Sequence, residues 1–246
     1  MGCRLSVIIP VRNDAAALGR TLDHLDHFGI ARMVEVIVSA SGDPDGTAQV
    51  IGTRGRLVQP GGSTRAALMN AAAAEAGGDV LFFLHADSLP PPDAVTAIAR
   101  ALEDERVVGG AFEHRFDDPG WSLRAISLMN RVRYRLTRNY YGDQGLFVRA
   151  AIFRRLGGFK DWALMEDLDL SQRLKRVGRT VLVRAPLRTS GRRFIARGPW
   201  RTVFVIAWLL LRHTLRLDTQ RYAERWRGPV DRPPGSAWER HTARSR

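Results

Sequence analysis

Cysteine is almost missing from this chain of 246 residues: Cys3 is the only one. That excludes an internal disulfide and any cysteine-based metal cluster, and it fits a reducing compartment. Long apolar runs are missing as well. Residues 203–211 (VFVIAWLLL) form a run of nine, bracketed by Arg201 and Arg212. As a helix it would span about 13 Å against roughly 30 Å of bilayer core, so it does not cross a membrane by itself. It can be a buried core helix or a segment lying at an interface. The opening residues, MGCRLSVIIPVRND, lack the apolar stretch and cleavage site of a secretory leader, so none is expected. Met-Gly raises myristoylation, but Ser6 already sits inside an apolar strand run. Lysine is scarce: Lys160 and Lys175 are the only two, and every other basic side chain is arginine.

Acids are missing in places. The stretch 121–138 has none, yet carries Arg124, Arg131, Arg133, Arg135 and Arg138. Residues 184–246 hold 15 arginines against 4 acids, so most of the net charge of +13 lies there. Such a block is a solvated face, or it binds nucleic acid, phosphate groups or an anionic membrane. Nucleic acid is disfavoured, because no binding motif appears and no aromatic strip is interleaved with the arginines. With 45% hydrophobic and 26% charged residues the chain reads as globular.

What is present is β-α-β-α repetition. Residues 5–10 (LSVIIP), 34–38 and 80–84 are short continuous apolar runs, as expected of strands buried on both faces. Residues 14–28, 47–51, 64–76, 94–102, 151–156 and 167–177 have helical composition or spacing. Further strands are expected at 56–59, 107–116, 145–148 and 180–183. Residues 121–138 read as a helix with Trp121, Leu123, Ile126, Met129, Val132 and Leu136 on its apolar face. The expectation is an α/β fold with a mostly parallel sheet and helices on both sides. From Arg225 onward the composition suggests a disordered tail.

Ligands in open α/β sheets bind beyond the carboxyl ends of the strands. Strand one ends in PVRND, strand two in SASGDPDGT, and the fourth in HAD (His85, Ala86, Asp87). His85 and Asp87 alternate, so both point to the same side of the strand and could hold a divalent cation, with phosphate oxygens completing its shell. The bland alternative is helix capping before PPPDAV. In MEDLDLSQRL, Glu166 and Asp167 open a helix, where acids suit the helix dipole, but the preceding Leu164 and Met165 suggest partial burial. Asp143 and Gln144 lie between glycines in YGDQG, a tight turn or an acceptor-side contact. Arg192 and Arg193 in SGRRF suit a diphosphate, or are simply two more arginines of the basic region.

The order VIIPVRND, SASGDPDGT, LMNAA, LFFLHAD, GAF, YGDQGLFVR, GGF and MEDLDLSQRL resembles family 2 glycosyltransferases over roughly residues 4–200. It is most similar to the subgroup associated with selenodomain and radical-SAM proteins. The resemblance implies a GT-A fold, with residues 4–116 as a Rossmann-like nucleotide-sugar half and 117–200 as a mixed-sheet acceptor half. Residues 201–224 would be a basic helical extension and 225–246 the tail. It implies an inverting transfer from a nucleotide-diphosphate sugar, assisted by Mg2+ or Mn2+, to an unknown acceptor that is lipid-linked or apolar. Pro10, Val11, Arg12, Asn13 and Asp14 would wall the nucleotide, with Arg65 and Asn70 nearby. Asp87 would carry the metal; His85 stands where the family has its first acid. Asp167, beside Glu166, would be the general base. The family's base-contacting Asp is here Ser39, with Asp43 or Asp45 able to compensate. A cytoplasmic enzyme, peripheral on the inner membrane face, is expected; a degenerate sugar-nucleotide binder is the alternative.

Overall fold

The structure is a computed structural model and describes residues 4–41, 46–62, 64–223 and 226. Asp43, Asp45 and, Trp226 apart, the segment 225–246 lie outside the described residues. One mixed sheet of eight strands runs in the order β3-β2-β1-β4-β7-β6-β8-β5. Strands β1 (Leu5–Val11), β2 (Glu35–Ala40), β3 (Arg56–Val58) and β4 (Val80–Phe83) are mutually parallel. Their side chains explain why. Every residue of β1 is buried, so both faces must be covered, and parallel strands need helical crossovers that cover them. Val7, Ile9 and Val11 pack with Leu18, Leu22 and Leu25 of α1 (Ala15–His27) on one face. Ile8 packs on the other, with Ala66, Met69 and Ala73 of α3 (Arg65–Glu75).

The second half reverses direction. β7 (Leu146–Arg149) is antiparallel to both β4 and β6 (Val107–Phe116), and β6 runs parallel to β8 (Arg179–Thr189). Gly109 and Gly110 are required by this crowding, and the β6–β8 pairing shifts register between Val107 and Gly109. A Cβ on Gly110 would overlap the Val181 carbonyl oxygen, and one on Gly109 would lie 2.5 Å from that of Phe147.

β8 is longer than the apolar pattern of 180–183 suggests, because Arg184, Pro186 and Arg188 interrupt it. A register shift between Phe112 and Glu113 places Pro186 opposite Glu113 and accommodates its missing N–H. Two short elements gave no signal: β5 (Ser88–Leu89) and α8 (Arg192–Arg197).

Two helices correct the expected faces. In α5 (Trp121–Thr137) the buried side chains are Leu123, Ile126 and Tyr134, whereas Trp121, Met129, Val132 and Leu136 point outward. In α9 (Pro199–Thr214) only Thr202 and Leu209 are buried, so 203–211 is not a core helix; Phe204 is 75% exposed. Both helices still join the body: Leu123 and Ile126 pack with Phe116, Phe194 and Val203. No helix among the described residues is long and apolar enough to cross a membrane.

Candidate functional site

The carboxyl end of β4 opens onto the start of α7 (Glu166–Val177) and the turn Gly142–Gln144. Arg65 joins these pieces. Thr64 caps α3 by accepting from the Ala67 amide at 3.0 Å, which sets Arg65 at the first helical position. Its guanidinium then donates through Nε to Glu166 Oε1 at 2.5 Å, through Nη2 to Asp167 Oδ2 at 3.3 Å, and through Nη1 to His85 Nε2 at 2.7 Å. Arginine has no acceptor, so His85 must accept at Nε2 and carry its proton on Nδ1. Burial, Arg65 and Arg193 hold His85 well below the usual imidazole range, in keeping with a neutral ring.

The acid pair is built in two unlike ways. Asp167 is fixed at both oxygens: Oδ1 accepts from the Leu168 amide at 2.7 Å, and Oδ2 from the Gly142 amide at 2.6 Å as well as from Arg65. It lines a small cleft with Arg65, Met69, Phe83, His85, Gly142 and Phe159. Glu166 does not line that cleft and is 1% exposed. Its Oε2 has no hydrogen-bond partner among the described residues. Burial pushes the Glu166 carboxyl up against the opposing pull of Arg65, and Asp167 adds to the rise. Met165, just before the pair, adopts a left-handed backbone at φ 67°, costly for a side-chain-bearing residue. Gln220 holds the same loop: Oε1 accepts from the Ala163 and Leu164 amides at 2.6 and 3.1 Å, and Nε2 donates to the Leu164 carbonyl at 3.0 Å.

The HAD segment departs from the expected geometry. β4 ends at Phe83, and residues 85–87 form a turn closed by Ser88 N to His85 O at 3.1 Å, so strand alternation does not orient His85 and Asp87 together. Capping is not the explanation of Asp87 either, since the α4 helix (Ala94–Ala101) starts after Asp93. Ala86 is buried and its carbonyl accepts from Thr21 Oγ1 at 2.7 Å. The Asp87 carboxyl is pushed up by burial and pulled down by Arg192 and Arg193, the net direction being up. Arg192 is 3.7 Å from Asp87 Oδ2 and forms a two-pronged ion pair with Asp14. SGRRF therefore reaches the ends of strands one and four, although α8 was unforeseen. Asp14 starts α1 without a side-chain cap bond, its carboxylate being turned to Arg192. Asn13 beside it is left-handed, a conformation asparagine tolerates.

Asp87 is the one residue of the HAD segment placed to meet a divalent cation. It is a half-buried carboxylate, 25% exposed at its side chain, and it lies across Arg192 from Asp14. His85 Nε2 is occupied by Arg65, and no group of three or more His, Cys, Asp or Glu able to hold a metal occurs among the described residues. Asp87 fits a hard cation only as one ligand, with diphosphate oxygens supplying others.

Other expected residues take varied places. Asn70 spends both ends of its amide on the Phe159 backbone, at 2.7 and 2.9 Å, and so holds the GGF loop. Gln144 is buried, bonded to the Phe112 carbonyl and the Tyr141 amide. Asp143 is 3.7 Å from His114 Nε2. Ser39 lies inside β2, fully buried, its hydroxyl unpartnered among the described residues. Pro10 and Val11 are the last residues of β1, opposite Ser39 and Ala40, with Arg12 next. His114 was missed. Its Nε2 is 2.8 Å from Thr189 Oγ1, and burial holds its imidazole low. The alternation Phe112, His114, Phe116 was the available signal.

A family model described as "Glycosyl transferase family 2" matches residues 6–156. An undecaprenyl-phosphate 4-deoxy-4-formamido-L-arabinose transferase of Edwardsiella ictaluri is 28% identical over 160 residues, covering 59% of this chain and 48% of its own. The chain thus spans about half the length of that relative. A mannosyltransferase from Pyrobaculum calidifontis, solved with GDP-Man and Mn2+, superposes at TM-score 0.62 with 21% identity, over 77% of this chain and 57% of its own. TarS residues 1–349 from S. aureus, solved with UDP-GlcNAc, superposes at TM-score 0.61 with 16% identity, over 76% and 58%. At these identities the structures establish a shared fold.

Proposed function

The chain belongs to glycosyl transferase family 2, and we propose that it moves a sugar from a nucleotide-diphosphate sugar to an acceptor hydroxyl with inversion. The fold is of the GT-A type, shared with the superposed glycosyltransferases. The observation that carries the proposal is the position of Asp167. It alone of the acid pair lines the cleft, next to His85 and the Gly142 amide. In this reading Asp167 accepts the proton of the acceptor hydroxyl as its oxygen attacks the anomeric carbon. The bond from that carbon to the diphosphate breaks on the opposite face, and the diphosphate leaves. Arg192 and Arg193, beside Asp87, offset the charge that gathers on it. A divalent cation held on Asp87 would supply further neutralisation there when bound. Arg65 does not touch the reacting atoms in this scheme; it orients the acids and fixes the His85 tautomer.

Similarity to an undecaprenyl-phosphate transferase supports a lipid-linked acceptor and a peripheral place at the membrane. The subgroup assignment rests on motif order alone. A second reading, a sugar-nucleotide binder without turnover, draws on Ser39 in place of the family acid and on the pairing of Asp167 with Arg65. A thermal-shift screen of nucleotide sugars with and without Mn2+ or Mg2+ tests donor binding. Release of free sugar or transfer from the stabilising donor then separates the two readings. A chain that no nucleotide sugar stabilises is neither.

A further inference from the structure

We infer that the outward faces of α5 and α9 form a docking surface for an anionic lipid bilayer. The two helices carry the same apolar pattern on their solvent side. In α5 the stripe is Trp121, Leu128, Met129, Val132 and Leu136; in α9 and the residue after it, it is Trp200, Phe204, Trp208, Leu211 and Leu215. Counted from the first tryptophan, both run at offsets 0, +7, +8, +11 and +15 with a Trp or Phe, Leu, Met or Val at each, except that α9 swaps in Ala207 at +7 and adds Phe204 at +4. Alanine fills the remaining +4 site, Ala125, in α5. These offsets return to one side of a helix, opposite the buried Leu123 and Ile126 of α5 and Thr202 and Leu209 of α9. The two stripes meet where the Trp121 and Trp200 rings pack at a tilt, centroids 5.9 Å apart.

Charge selects the occupant. Neither helix contains an acid; Arg124, Arg131 and Arg135 flank the first stripe, and Arg201 and Arg212 the second. An apolar stripe edged by arginine, with tryptophans at its rim, matches the interfacial zone of a bilayer and its anionic headgroups. A spanning role is excluded by length for every described helix. The site is close behind this face. Leu209 on the inner side of α9 packs on Leu164, two residues before Glu166. α8, which leads into α9 through Gly198, carries Arg192 to Asp14 and Asp87. Docking would bring the cleft's rim to headgroup depth. The inference adds a partner to the transferase reading and does not need it to hold.

The test is flotation of the full chain with vesicles of phosphatidylcholine alone and with equal parts phosphatidylglycerol. The parent should float with the anionic vesicles at low salt and far less with the neutral ones. The triple variant Leu128→Ser, Phe204→Ser, Leu211→Ser keeps every arginine and changes only exposed side chains. Its partition should fall by about tenfold or more per side chain deeply inserted. Its melting temperature and its donor-induced thermal shift should match the parent's, which keeps a failure here distinct from failure of the transferase reading. Three results overturn the inference: a parent that stays in the soluble fraction, a triple variant that floats like the parent, or a parent dimer in ultracentrifugation that the triple variant abolishes while vesicle binding is absent.

Discussion

Arg65 Nη1 donates to His85 Nε2 across 2.7 Å, and this one bond makes an acceptor of the residue that stands in the strand-four motif where the family has its first acid. The same guanidinium holds Glu166 and Asp167. Arg65→Met should therefore loosen three partners at once. Because the guanidinium is 37% exposed, the expected cost is modest, about 1–3 kcal/mol in chemical denaturation. Arg65→Lys should recover charge but not the three-way fork, so it should restore stability better than turnover. Equal recovery of both would make Arg65 a plain counter-ion.

Asp167→Asn should fold, bind donor with nearly parent affinity and lose turnover by about 10²–10⁴-fold. Glu166→Gln should behave differently, since Glu166 does not line the cleft. Its folded carboxyl is raised above the unfolded value, so it opposes folding as pH rises from the unfolded pKa through the folded one. In Glu166→Gln that limb of the stability–pH curve should flatten. Turnover that survives in Asp167→Asn would transfer the base role to Glu166.

Gly142→Ala is a steric test of the same cleft. An added Cβ would sit 2.6 Å from His85 Nε2 and 3.2 Å from both Arg65 Nη1 and Asp167 Oδ2. Overpacking of this kind costs about 1–3 kcal/mol, and the Gly142–Asp167 bond should lengthen with it. Equilibrium denaturation and a turnover assay on one preparation measure both effects.

Asp87→Asn should abolish the part of donor binding that depends on Mn2+ or Mg2+ and leave the fold intact. The thermal shift produced by donor plus metal should shrink to that of donor alone. His85→Ala should weaken donor binding less. A parent-like, metal-dependent shift in Asp87→Asn would dismiss the assignment.

His114 offers a pH prediction of its own. Its folded pKa is depressed, by burial first and against the pull of Asp143. The unfolded chain therefore takes up a proton first as pH falls below about 6.5. The contribution of His114 is fully present above that value and lost toward its folded pKa. His114→Asn should remove this acid limb, visible as a smaller loss of stability between neutral and mildly acidic pH.

The first half of the fold was legible because its signals are local. β1 and β4 are apolar at every position but Ser6, and their buried neighbours follow from sheet covering alone. Much of the site was not. Arg65 finds its partners 20, 101 and 102 residues away, and no local pattern announces that. α5 shows a second limit. Periodicity identified the helix, but Leu123 and Ile126 turn inward while Met129 and Val132 turn out, because two apolar stripes occur on one helix. β8 was truncated by reading Arg184 and Pro186 as an ending, where a shift in pairing accommodates them.

Gln220 closes the loop before the acid pair with three hydrogen bonds made from 56 or 57 positions further along the chain. This sets an order of events during synthesis. All eight strands and α7 precede residue 220, so the sheet and both acids can emerge from the ribosome while that loop is still unlatched. A nascent chain halted before Gln220 would possess the scaffold of the site without its final fastening.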